Sequence, residues 1–143
     1  MSRQNILLVE DNVDDVELTL RVLKTHNIAN EVIVARDGEE ALAMLFGEHH
    51  ACAQELPSVV LLDLNMPKVD GLEVLRRIRS EPRTRLLPVV IMTTSSEERD
   101  IVASYELGAN SYVCKPVEFE EFEQAVRTLG LYWMILNVKP QSC

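Results

Sequence analysis

Three continuous apolar runs, each ending on a residue able to handle phosphate or a divalent cation, constrain this chain most. Ile6-Leu7-Leu8-Val9 runs into Glu10-Asp11, Val59-Val60-Leu61-Leu62 into Asp63, and Pro88-Val89-Val90-Ile91-Met92 into Thr93. A shorter segment, Tyr112-Val113-Cys114, ends on Lys115-Pro116. Unbroken apolar runs bounded by polar residues suit strands buried on both faces. If such strands lie parallel in one sheet, their carboxyl ends share an edge. Three carboxylates, a hydroxyl and an ammonium then converge there, and that edge is where open α/β sheets bind ligands.

Helical patterns fill the intervals. Val13, Val16, Leu20 and Leu23 recur at helical spacing after Asp11, and the acidic first turn suits the positive end of the helix dipole. Glu31-Val32-Ile33-Val34-Ala35 reads as a short strand, and Gly38 precedes a helix carrying Ala41, Leu42 and Leu45. The polar stretch from Gly47 to Pro57, with His49-His50, reads as a loop. Asp70-Gly71 leads into a helix that stops before Pro82. Glu97 to Leu107 is a helix ended by Gly108 as a left-handed cap, and Glu118 opens the last helix. The order βαβαβαβαβα predicts an α/β fold, a doubly wound (βα)5 arrangement on a five-stranded parallel sheet with helices on both faces. At 143 residues, with no linker or repeat, residues 1–143 read as a single domain long enough to bury a core.

Charge and cysteine usage narrow the partners. A net charge of -9 argues against nucleic acid, whose phosphates need a basic surface. Cys52, Cys114 and Cys143 show no CxxC spacing, and no signal peptide opens the chain. Reduced thiols in a cytoplasmic protein are expected, with Cys114 in the core and Cys143 exposed. No apolar stretch approaches the roughly 18 residues that a membrane span needs.

The chemistry of this constellation is a divalent-metal site beside a nucleophilic carboxylate. Mg²⁺ prefers oxygen ligands and keeps several waters, so one or two carboxylates and a substrate phosphate suffice. An Asp carboxylate can attack phosphorus to give an aspartyl phosphate. A cation and a lysine offset charge on the transferring phosphoryl oxygens, and a hydroxyl such as that of Thr93 can hydrogen-bond the product. Each element alone is weak evidence; their joint placement at strand ends is specific.

The chain resembles the receiver domains of two-component response regulators, with the flavodoxin- or CheY-like fold. The resemblance rests on Leu8-Val9-Glu10-Asp11-Asn12, Asp63-Leu64-Asn65-Met66-Pro67-Lys68-Val69-Asp70-Gly71, Pro88-Val89-Val90-Ile91-Met92-Thr93-Thr94 and Gly108-Ala109-Asn110-Ser111-Tyr112-Val113-Cys114-Lys115-Pro116. It implies that Asp63 accepts a phosphoryl group from a histidine kinase. It implies a metal site of Glu10, Asp11, Asp63 and the backbone carbonyl of Asn65, for Mg²⁺ with Mn²⁺ as a substitute; Glu10 would reach the metal through water. Lys115 and Thr93 would contact the phosphoryl group, the Lys115–Pro116 bond would be cis, and Thr93 and Tyr112 would form the switch, with Tyr112 packing inward.

Several acids and histidines read more plainly. Asp14 and Asp15 suit helix-start and field roles rather than ligation. His49 and His50 are adjacent on an irregular segment and rarely converge on one metal, and His26 reads as a helix-end residue.

A narrower likeness is to the stand-alone regulators paired with bacterial and cyanobacterial phytochromes. It rests on Leu18-Thr19-Leu20, Val34-Ala35-Arg36-Asp37-Gly38, the loop before Pro57, Arg83-Thr84-Arg85-Leu86-Leu87-Pro88 and Leu129-Gly130-Leu131-Tyr132-Trp133. It implies a phytochrome photoreceptor kinase as partner. After Lys115-Pro116 there is room for one helix and a short tail and none for an output domain, so signalling through protein contacts or phosphate relay is expected. Residues 129–143 form the helix end and tail. The run from Leu129 to Leu136 is apolar nearly all round, so a homodimer contact through Tyr132, Trp133 and Ile135 is expected. Two rival readings are a metal-dependent aspartyl-phosphate hydrolase and a phosphorylation-independent scaffold. Hydrolases of the haloacid-dehalogenase type carry a second acid two residues after the nucleophile, where this chain has Asn65. The scaffold reading does not explain a complete set of site residues.

Overall fold

Five parallel strands form one sheet in the order β2-β1-β3-β4-β5. The computed structural model describes residues 5–29, 31–47 and 56–138. The strands are β1 (Asn5–Val9), β2 (Glu31–Ala35), β3 (Val59–Leu62), β4 (Val89–Thr93) and β5 (Ser111–Cys114). The helices are α1 (Val13–Thr25), α2 (Gly38–Phe46), α3 (Gly71–Ser80), α4 (Glu98–Glu106) and α5 (Phe119–Leu131), followed by a π turn at Tyr132–Leu136. This is the doubly wound α/β fold expected from the sequence. The histidines at 49 and 50 and the cysteines at 52 and 143 lie outside the described residues.

The three central strands are buried at every position, as unbroken apolar runs require. Alternate side chains feed two cores. Leu7, Val9, Val60, Leu62, Val89 and Ile91 meet Ala41, Leu45, Val74, Leu75 and Ile78 of α2 and α3 on one face. Ile6, Leu8, Val59, Leu61, Val90 and Met92 meet α1 and α5 on the other, through Val16, Val22, Leu23, Phe122 and Val126. Edge strand β2 instead alternates between exposed and half-buried residues until the buried Ala35 at its end.

Side chains cap three helices whose first turns lie near the carboxyl edge of the sheet. Asn12, Asp37 and Asp70 accept from the backbone N–H of Asp15, Glu40 and Glu73 at 3.0, 2.8 and 3.0 Å. Gly71 lets α3 start hard against the end of β3: a Cβ there would stand 2.3 Å from the Asp63 carbonyl oxygen. Gly108 terminates α4 with φ +100°, the left-handed conformation expected of it. His26 follows α1 as a helix-end residue.

Several expectations need correction. Cys114 is exposed rather than core, because β5 is an edge strand that is only half-buried along its length and opens to solvent at its last residue. Val13 lies in a helix as expected, and it is 53% exposed because it opens α1 at the rim before the helix reaches the core. The Lys115–Pro116 bond is trans. The last helix does not run on as α-helix to Leu136 but widens into the π turn, closed by the Asn137 N–H on the Tyr132 carbonyl at 2.7 Å. Met134 is buried by it, Trp133 packs partly against the α1–α5 core, and Tyr132 and Ile135 are exposed. Among the described residues no helix is long and apolar enough to cross a membrane.

Candidate functional site

Strand register assembles the site. Val9 pairs with Leu62 and Thr93 with Cys114, so Glu10, Asp63 and Lys115 each follow a strand that ends at the same edge as Thr93. The order places β1 between β2 and β3, so the chain's crossovers diverge there and open a crevice, the usual ligand position in such sheets. Backbone bonds hold the strand ends together: Glu10 donates to Ala35 at 2.9 Å, Asp63 to Val9 at 3.1 Å and Lys115 to Thr93 at 2.6 Å.

Ligand oxygens of Glu10, Asp11 and Asp63 all lie within 4.8 Å of one another. Glu10 and Asp63 are buried while Asp11 faces solvent. Three carboxylates of mixed burial, opening to water on one side, form an oxygen donor set suited to a hard divalent cation that keeps some of its waters. Asn65 sits beside them. Its backbone N–H lies 3.4 Å from Asp63 Oδ1, and its side-chain amide donates to Thr93 Oγ1 at 3.4 Å.

The Lys115 ammonium is buried among acids. Its Nζ lies 2.5 Å from Glu10 Oε1, 2.8 Å from Asp15 Oδ2 and 3.7 Å from Asp63 Oδ2. Burial disfavours its charge, but the hydrogen bonds it donates to Asp15 and Glu10, with Asp63 nearby, outweigh that and hold its pKa above the ordinary value. Burial pushes the Glu10 carboxyl up to about 7; the bond to Lys115 opposes this and the Asp63 charge adds to it. Without a cation, the cluster carries more negative charge than one lysine neutralises.

Thr93 is fully buried, and its hydroxyl faces the Asn65 amide and the Ser95 N–H, the latter at 3.5 Å. Tyr112 is half-buried on β5, with its hydroxyl donating to the Ser95 carbonyl at 2.9 Å. Ser95 Oγ in turn donates to Asp100 of α4 at 2.5 Å. Thr93, Tyr112 and α4 are therefore joined through Ser95.

The fold thus brings together Glu10, Asp11, Asp63, Asn65, Thr93 and Lys115. Tyr112 stands one hydrogen bond away, through Ser95. Tyr132, Trp133 and Ile135 are separate from the crevice. They follow α5, which runs back from β5 so that Gly130 packs on Leu23 and Ile28 near the far end of α1. Sequence reasoning missed two participants. Asp15, read as a helix-start acid, is a direct partner of Lys115; its position one turn after Asp11 was the available signal. Ser95 carried no signal, because its contacts to Thr93 and Tyr112 are made by its backbone N–H and carbonyl, and its hydroxyl serves the contact to Asp100.

Residues 6–127 match the response regulator receiver domain. Response regulator Rcp1 of Synechocystis sp. is 42% identical over 129 residues, spanning 90% of this chain and 88% of that one. The crystal structure of the Mn²⁺-bound form of a response regulator Rcp1 superposes with a TM-score of 0.88 over 96% of this chain and 99% of that one, at 40% identity. The crystal structure of a phosphorylated cyanobacterial phytochrome response regulator, RcpA, gives a TM-score of 0.90 at 38% identity, covering 98% of this chain and 100% of that one. The bacteriophytochrome response regulator AtBRR is 52% identical, with a TM-score of 0.72 over 96% of this chain and 100% of that one. With its crevice of acids, lysine and threonine on a 2-1-3-4-5 sheet, the chain belongs to the response regulator receiver domain family.

Proposed function

We propose that this receiver takes a phosphoryl group from a histidine kinase onto Asp63 and signals by changing conformation. The observation that carries the reading is the Asp63 carboxylate itself. It is buried at the end of β3, between two further acids and a buried lysine ammonium. A carboxylate oxygen attacks phosphorus, the bond from phosphorus to the kinase imidazole nitrogen breaks, and that nitrogen leaves with the electron pair. Lys115 offsets charge on the phosphoryl oxygens, and the Thr93 hydroxyl donates to one of them after transfer. Glu10, Asp11, Asp63 and the Asn65 carbonyl hold Mg²⁺, with Mn²⁺ able to substitute. Bound there, the cation neutralises charge that otherwise repels the donor. Thr93 and Tyr112 form the switch, coupled through Ser95 and the first turn of α4.

The kinase is assigned to the phytochrome photoreceptor class on the strength of the relatives described as phytochrome response regulators. Residues 1–143 act as a single cytoplasmic receiver domain. The exposed apolar face at the end of α5 and the π turn supports a homodimer contact through Tyr132, Trp133 and Ile135. Acetyl phosphate with Mg²⁺ should label the protein on Asp63, and EDTA should abolish labelling. Asp11→Ala should weaken Mg²⁺ binding more than Asp14→Ala. Labelling that survives EDTA, or the reverse ranking, contradicts the metal assignment.

A further inference from the structure

A closed ring of hydrogen bonds runs through the first turn of α1. The Asn12 N–H donates to Glu10 Oε2 at 3.1 Å, and Asn12 Oδ1 accepts from the Asp15 N–H at 3.0 Å. Lys115 Nζ closes the ring by donating to Asp15 Oδ2 at 2.8 Å and to Glu10 Oε1 at 2.5 Å. The helix cap thus fixes the backbone of Asp15, and Asp15 in turn fixes the lysine. An ammonium has three donors. Two are engaged by Glu10 and Asp15. Asp63 Oδ2, at 3.7 Å, lies beyond hydrogen-bond reach of the nitrogen.

We propose that Asp15 is a positioning residue for phosphoryl transfer, holding the Lys115 ammonium off the Asp63 carboxylate with its third donor free for an incoming phosphoryl oxygen. This rests on the reading of Asp63 as the phosphoryl acceptor and adds a residue to it. Without Asp15, the lysine side chain can shorten its 3.7 Å ion pair with Asp63 to a direct hydrogen bond, further masking the nucleophile and using up the free donor. Asp15 does not belong to the cluster of Glu10, Asp11 and Asp63, so its removal leaves the cation donors in place.

A bland alternative makes the opposite prediction. If Asp15 acts only through its field, removing its negative charge makes the crevice more welcoming to an anionic donor, and labelling speeds up. If it positions Lys115, labelling slows despite the more favourable field. Asp14 provides the control: it is exposed, adjacent and not bonded to Lys115 among the described contacts.

The test measures the rate of Asp63 labelling by acetyl phosphate at saturating Mg²⁺ for the native chain, Asp15→Ala, Asp15→Asn and Asp14→Ala, with Mn²⁺ affinity measured separately by titration. The expected result is about a ten-fold slower rate for Asp15→Ala, the loss of one charge-assisted bond to the lysine. Asp15→Asn keeps an oxygen acceptor and should fall between Asp15→Ala and the native chain. Asp14→Ala should not be slowed, and Mn²⁺ affinity should be retained in Asp15→Ala. If Asp15→Ala does not fold, a rate for Asp15→Asn equal to or above native overturns the proposal by itself. If the native chain labels on Asp63 and Asp15→Ala labels as fast or faster, the positioning role is wrong and the acceptor assignment stands. A native chain that takes no phosphate removes both.

Discussion

Glu10 makes the metal-free protein sensitive to pH in a direction that can be worked out from the structure. Its carboxyl is pushed up to about 7 from an ordinary value of 4.5, chiefly by burial. In the unfolded chain the group ionises near 4.5, whereas in the folded chain it keeps its proton until about 7. Between these values the unfolded state sheds a proton that the folded state retains, so stability falls as pH rises through this window and levels off above it. A shift of this size corresponds to about 3 kcal/mol. Glu10→Gln keeps the shape and an acceptor for Lys115 but cannot ionise. Urea unfolding in EDTA at several pH values between 4.5 and 8 isolates the effect as the difference between the two chains, since other titrating groups are common to both. Relative to Glu10→Gln, the native chain should lose about 3 kcal/mol across the window. Saturating Mg²⁺ should recover much of the loss, because a cation favours the ionised carboxylate. Parallel stability profiles for the two chains in EDTA would refute the reasoning.

Three further outcomes are expected. Arg79 of α3 donates to the Gly108 carbonyl at 2.9 and 2.8 Å, to the Leu87 carbonyl at 2.7 Å and to Asn110 Oδ1 at 2.9 Å, tying α3 to the segments that precede β4 and β5. Arg79→Ala should cost about 3 kcal/mol in urea unfolding while Asp63 still labels; a loss below about 1 kcal/mol would show the clamp to be incidental. Thr93→Val keeps shape but removes the hydroxyl facing Asn65 and Ser95, so it should label yet lose the phosphorylation-induced change in amide exchange across residues 94–100; an unchanged response would remove Thr93 from the switch. Light scattering should find a dimer for the native chain and a folded monomer for Ile135→Glu or Trp133→Glu. Ile135→Glu is the cleaner test because Ile135 is 62% exposed in the single chain, and a native monomer at high micromolar concentration would contradict the contact.

The parts of the fold that sequence made legible are those written in short-range pattern. The runs before Glu10, Asp63 and Thr93 are apolar because both faces of β1, β3 and β4 are covered, and their shortness and polar boundaries set them apart from buried helix segments. Their polar end residues converge because parallel strands share a carboxyl edge. Cys114 was misplaced because a three-residue apolar run cannot distinguish a central strand from an edge strand, and only the sheet order reveals that β5 is an edge. Asp15 was undervalued because its partner lies 100 residues away in sequence. Its acidic neighbours also offered a sufficient local explanation in the helix dipole. The π turn after Leu131 was invisible because an apolar run carries no signal for one extra residue per turn.

The most direct measurement of the central claim is intact-protein mass after incubation with a phosphorylated phytochrome-class histidine kinase and Mg²⁺, comparing the native chain with Asp63→Asn. The substitution preserves size and replaces the anionic nucleophile with an amide. The native chain should gain the mass of one phosphoryl group, and the folded variant should gain none. A phosphoryl group acquired by the variant at the native rate would contradict the assignment of Asp63 as the acceptor.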